Sequence, residues 1–138
     1  MTLDYNALNL RVLDLKTAQL PELFINTSGI TFSKRLLELM KYPEHVQFGI
    51  DDLHLVFSIR ACRACDSSSF IFIKGGVRPS NTLSITNKNL HDILITLIPG
   101  GDPSVRYKLI GEYDSPHRTM LFNLSQAVPA ELTVKTGK

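Results

Sequence analysis

Hydrophobic and polar positions run through one pattern twice along this chain. After Gly29, Ile30 and Phe32 lie on one side of a short strand with Thr31 between them, and Ser33 stands where it can cap a helix. Leu36, Leu37 and Met40 recur at helical spacing. Pro43 ends that helix, because the residue before a proline is pushed out of the helical region. Val46, Phe48 and Ile50 alternate, Asp51-Asp52 supplies turn chemistry, and Leu53, Leu55, Phe57 and Ile59 alternate again, which predicts a hairpin. The order returns with Leu83 and Ile85 as a strand, Thr86 or Asn87 as a cap, and Leu90, Ile93, Leu94 and Leu97 as an amphipathic stripe. Pro99-Gly100-Gly101 stops the second helix. Val105, Tyr107 and Leu109, then Met120, Phe122 and Leu124, form a second hairpin turned through Ser115-Pro116. Two strands are predicted outside the repeats, at Ala7–Leu15 and at Phe70–Ile73.

Neither unit can bury a helix and a hairpin face alone, so the two must share a core. The expected fold class is α+β, mostly β, with two βαββ units forming a barrel-like pseudo-dimer around one core. Residues 1–28 are read as the N-terminal strand, covering a sheet edge, and its lead-in. The first unit is 29–65, a linker with a strand is 66–81, the second unit is 82–128 and a tail is 129–138. The second copy is expected to be longer in its loops at Gly100–Ser104 and Glu112–His117.

Composition adds limits. With 138 residues, 43% hydrophobic and 20% charged, the chain can fill one globular core. A net charge of +2 permits polyanion binding without announcing it. No apolar run approaches the roughly 20 residues of a membrane span. The start, with Asp4 ahead of any basic residue, does not read as a secretory signal. A cytoplasmic protein is expected, with reduced cysteines and unused sequons at Asn26 and Asn123.

The stretch Gly29-Ile30-Thr31-Phe32-Ser33-Lys34-Arg35-Leu36-Leu37-Glu38-Leu39-Met40, followed by Val46 to Ile59 with its acidic turn, resembles the AbrB/SpoVT swapped-hairpin domain. The tandem pair is similar in layout to the MraZ proteins, although their signature motifs are absent. The resemblance implies a bacterial DNA-binding regulator of transcription that acts without cofactor. It also implies interlocked hairpins, with basic residues near the first strand and helix meeting double-stranded DNA. Leu37 and Glu38 stand where DNA-contacting members carry arginine. The alternative implied is a protein-interaction module on the same scaffold, as in a mobile-element or toxin–antitoxin system, with a homodimer or another protein as its partner.

Lys34 and Arg35 open the first helix and Lys88 holds the equivalent place in the second, so these three are the leading DNA contacts. Arg106, Lys108 and Arg118 extend the surface if the second hairpin lies beside it. An ordinary solvated face is the competing reading. Cys62 and Cys65 form a single C-x-x-C and are weak metal candidates. Zinc needs two more ligands, and the four histidines sit at no recognised spacing. Gly75-Gly76 and Gly100-Gly101 lack the Gly-Lys-Ser/Thr ending of a phosphate loop. His91 and Asp92 are placed on the polar side of the second helix, and no catalytic constellation emerges, so no enzyme is expected. Phe48, Phe57, Phe70, Phe72 and Phe122 could stack bases, but core packing is their commoner fate.

Overall fold

Strand formation starts directly after Pro21, where Leu23 and Ile25 are buried and Glu22 and Phe24 between them are half-exposed, giving β1 (Glu22–Ile25). The structure, a computed structural model, describes residues 3–12, 20–76 and 78–130. The remaining elements are β2 (Ile30–Phe32), α1 (Lys34–Leu39), β3 (His45–Asp51), β4 (Val56–Cys62), β5 (Phe70–Ile71) and β6 (Leu83–Ile85). They continue with α2 (Lys88–Leu97), β7 (Tyr107–Ile110), β8 (Glu112–Asp114), β9 (Thr119–Asn123) and β10 (Val128–Pro129). The fold is mostly β, with two antiparallel sheets in the orders β10-β7-β1-β2-β6 and β5-β3-β4-β9-β8. The buried faces of both sheets and of both helices join one apolar cluster. Neither sheet closes on itself, so the expected barrel is replaced by two open sheets.

Both caps form. Ser33 Oγ accepts from the Leu36 N–H at 3.2 Å, and Asn87, not Thr86, accepts from the Leu90 N–H at 3.0 Å. The buried stripe of α2 is rotated from the sequence reading. Leu90, His91, Leu94, Ile95 and Ile98 face the core and Ile93 is exposed, because His91 is drawn inward by a hydrogen bond to the Asn26 carbonyl. Residues 7–12 form no strand, and Leu8, Leu10 and Val12 are exposed, since β1 already occupies the sheet position next to β2; positions 13–15 lie outside the described residues. The fourth strand starts at Val56, because Leu53 and Leu55 belong to the turn. Only Phe70 and Ile71 of the Phe70–Ile73 stretch form a strand.

Strands at matching places in the two stretches of similar pattern pair with one another. β2 pairs with β6 about Thr31 opposite Ser84, and β4 pairs with β9 about Ser58 opposite Leu121. Each is an antiparallel pairing of corresponding strands, the relation a twofold axis generates. The two hairpins correspond at an offset of 63 residues, so Gly49 opposite Ser58 matches Glu112 opposite Leu121. At that offset Asp51 and His54 fall on Asp114 and His117, and Leu55 (φ 56°) falls on Arg118 (φ 52°). The second turn is therefore no longer than the first, and the extra length lies between the start of α2 and β7. Phe48, on straight β3, corresponds to Gly111, where the second copy bends from β7 in one sheet to β8 in the other. A Cβ on Gly111 would lie 2.8 Å from Met120 and from the Phe122 ring, so the bend needs glycine for space.

The repeated turns are built on carboxylate caps. Asp51 accepts from the Leu53 and His54 N–H groups at 3.0 Å and from His54 Nδ1 at 2.8 Å. Asp114 accepts from the His117 N–H at 3.2 Å and from its Nδ1 at 2.9 Å. The His54 backbone N–H, then its ring, holds the Asp51 carboxyl below 3.8, and the His117 ring, then its N–H, does the same for Asp114. In the acid range the unfolded chain binds more protons at these two sites than the folded one. Their contribution is thus complete above the unfolded value and lost as pH falls through the lower folded values. The double variant Asp51→Asn, Asp114→Asn is expected to melt lower than the parent at neutral pH. Its melting temperature should also fall less steeply between about pH 5 and about pH 2. Parallel melting profiles would show that the carboxylates do not hold the turns.

Candidate nucleic-acid interface

The six basic residues singled out in the sequence divide between two faces. Lys34 and Arg35 start α1 and Lys88 starts α2, at opposite ends of the β2–β6 ribbon and on either side of its Thr31–Ser84 centre. Lys108 lies on β7 with Tyr107 and Leu109 buried beside it, so it shares the outer face of the first sheet. Arg106 joins that face through Phe24, its guanidinium 4.3 Å from the ring centroid. Arg118 sits apart, in the turn before β9 at the outer face of the second sheet. The six therefore do not form one continuous surface.

Several of these charges are already engaged. Arg35 lies 3.6 Å from Glu38, Lys88 Nζ 2.7 Å from Asp92 and Lys108 Nζ 3.2 Å from Glu22. The Lys88 ammonium is the main cause of the lowered Asp92 carboxyl. Exposed pairs of this kind are worth little and exchange readily for a phosphate. Arg106 is held differently, since its Nε donates to Asn26 Oδ1 at 2.7 Å. Lys34 and Arg118 have no ion-pair partner among the described residues. Leu37, at a position where the resemblance places arginine, is fully buried, so that position belongs to the core.

Sequence reasoning missed the residue that organises this face. Asn26 Nδ2 donates to Thr31 Oγ1 at 2.9 Å, and Thr31 Oγ1 shares a 2.8 Å hydrogen bond with Ser84 Oγ at the pairing centre. The Asn26 carbonyl accepts from His91 Nε2 at 2.7 Å, which contradicts the placement of His91 on the polar side of α2. The turn run Asn26-Thr27-Ser28-Gly29 was the one signal in the sequence, and it names no long-range partner. Beside Lys88 a cavity of about 350 Å³ is lined by Thr27, Ser28, Thr86 and His91 and also by the Asp92 carboxylate and Pro103.

On the second sheet, a groove of about 850 Å³ lies over β4 and β9. It is lined by Arg60, Arg63 and Arg118, with Asp66, Asp114 and His117 among them. Cys62 borders this groove, and Cys62 and Cys65 are free thiols. No group of three His, Cys, Asp or Glu side chains suited to a metal ion occurs among the described residues. The five phenylalanines pack as neighbours. Phe57, Phe72 and Phe122 are buried, and Phe48 and Phe70 are half-buried against them. No helix among the described residues is long and apolar enough to cross a membrane.

No family model, no curated protein and no solved structure matches this chain.

Proposed function

We propose that this protein binds duplex DNA as a regulator resembling the AbrB-like proteins, with the face around the Thr31–Ser84 centre as its contact surface. The observation that carries the reading is the twofold form of the β2–β6 pairing. Lys34 and Lys88 each open the helix that follows their strand, and in the strand register Lys88 corresponds to Arg35. A pseudo-twofold surface with paired cations suits a duplex, whose two strands are themselves related by a twofold. Helix N-termini add backbone donors.

A titration of a fluorescent duplex over a salt series tests this. Binding should weaken linearly in log–log form, and Lys34→Ala, Lys88→Ala should reduce the slope by about 2, one for each phosphate that is no longer neutralised. Absence of binding at about 50 mM salt sinks the proposal. A protein-interaction module is the second reading, favoured by Leu37, which is buried in the core at a position where the resemblance places arginine. It predicts a stoichiometric protein partner whose binding survives in protein that takes up no DNA.

A further inference from the structure

We propose that the groove on the outer face of the second sheet is a separate site for a phosphate-bearing small molecule, held by Arg60 and Arg118. The two arginines are brought together by the sheet. Arg60 on β4 faces Thr119 in register, next to Arg118, and the Arg118 carbonyl accepts from the Ala61 N–H at 3.0 Å. Both backbones are therefore fixed by ladder hydrogen bonds, and only the side chains need to adjust to a ligand.

The two carboxylates around them are each hydrogen-bonded to a neighbour. Arg63 reaches Asp66 at 3.2 Å, and the Arg63 backbone N–H, then its guanidinium, lowers that carboxyl. Asp114 is taken by His117. Desolvation pushes the Cys62 thiol up, so it adds no negative charge to the groove. Arg60 and Arg118 remain without an ion-pair partner among the described residues.

The fold does not require these arginines. At the 63-residue offset Arg118 corresponds to Leu55, which has the same left-handed backbone and packs against the core. Arg60 corresponds to Asn123, which caps the Ser125 N–H. The two copies share the backbone and differ in what these positions carry, and the basic residues meet at one groove. Its volume lies within the range of small-molecule sites. Planar guanidinium groups are suited to the oxygens of a phosphate, bound through paired donors. Among the described residues no Phe or Tyr ring lines the groove.

The test is calorimetric titration of the full chain with inorganic tripolyphosphate at low salt, with the fluorescent duplex titrated in parallel. Saturable one-to-one binding of tripolyphosphate is expected. Arg60→Asn, Arg118→Leu places in the groove the residue types found at the corresponding sites, so it should melt close to the parent. It should also weaken tripolyphosphate at least about tenfold. Lys34→Ala, Lys88→Ala should leave tripolyphosphate binding unchanged. Loss of tripolyphosphate with duplex binding retained, or with no duplex binding in the parent, assigns the site to a small molecule. Loss of both ligands reassigns the groove to a nucleic-acid backbone and overturns the separate site. No saturable binding, or equal binding by the groove variant and the parent, also overturns it.

Discussion

Phe57→Ala is expected to lower the free energy of unfolding by about 3–5 kcal/mol, the cost of removing a large ring from a packed interior. Phe57 is fully buried on β4, with ring centroids 5.8 Å from Phe48 and 6.0 Å from Phe122. It also faces Phe122 in register across the β4–β9 pair, where the two copies meet. A cavity there removes packing from both halves at once, so neither can relax independently to fill it. Urea unfolding followed by circular dichroism measures the loss. Leu53→Ala, in the same hairpin but 84% exposed, should change stability by no more than about 0.5 kcal/mol. A Phe57→Ala cost below about 1 kcal/mol would mean that the two hairpins do not share this core.

Arg106→Ala is the second large effect, at about 2 kcal/mol. That figure combines a charge-assisted hydrogen bond with a cation–π contact. The guanidinium donates to Asn26 Oδ1 and lies over Phe24, while Asn26 in turn holds Thr31 and, through its carbonyl, His91. Removing Arg106 leaves the part-buried Asn26 oxygen without its donor. Arg106→Lys should recover little, since an ammonium cannot reproduce a planar guanidinium that both stacks and donates. Thermal melts of the two variants check this. Parent-like stability combined with loss of duplex binding would recast Arg106 as a phosphate contact.

These effects separate residues that the chain's charge pattern had grouped together. Lys34, Lys88 and Arg106 look alike in sequence as basic residues near repeated elements. Lys34 and Lys88 stand at exposed helix starts, whereas Arg106 is tied to Asn26, 80 residues earlier in the chain. Arg118 was grouped with them as part of the second hairpin, yet the hairpin carries it to the opposite sheet. Arg60 and Arg63 carried no distinguishing signal. Their relevance comes from the groove that β4, β9 and the Asp114 turn enclose. His91 illustrates the same limit, because helical periodicity ranks a histidine as polar and cannot register a carbonyl waiting at Asn26.

The local rules were legible. Ser33 and Asn87 cap the helices, Pro43 and Pro99 follow them, and Gly100 takes a positive φ of 70° where the second helix has ended. The hairpins could be read from period-two alternation, since Val46, Phe57, Ile59, Met120, Phe122 and Leu124 are all buried. The N-terminal alternation at Leu8, Leu10 and Val12 misled, because alternation states which residues would share a face and not whether a neighbouring strand exists.

By itself, then, the sequence determined the strand–helix–hairpin order of the elements, their caps and stops, and the apolar sides of the hairpins. These depend on backbone preferences and spacing within a few residues. Tertiary structure alone decided that the sheets stay open and that Gly111 sends one copy's strand into both of them. It also decided that the cations divide between a twofold-related face and a separate groove. Such features arise from contacts between residues distant along the chain, where a missing Cβ, a buried carbonyl or a facing strand determines the outcome.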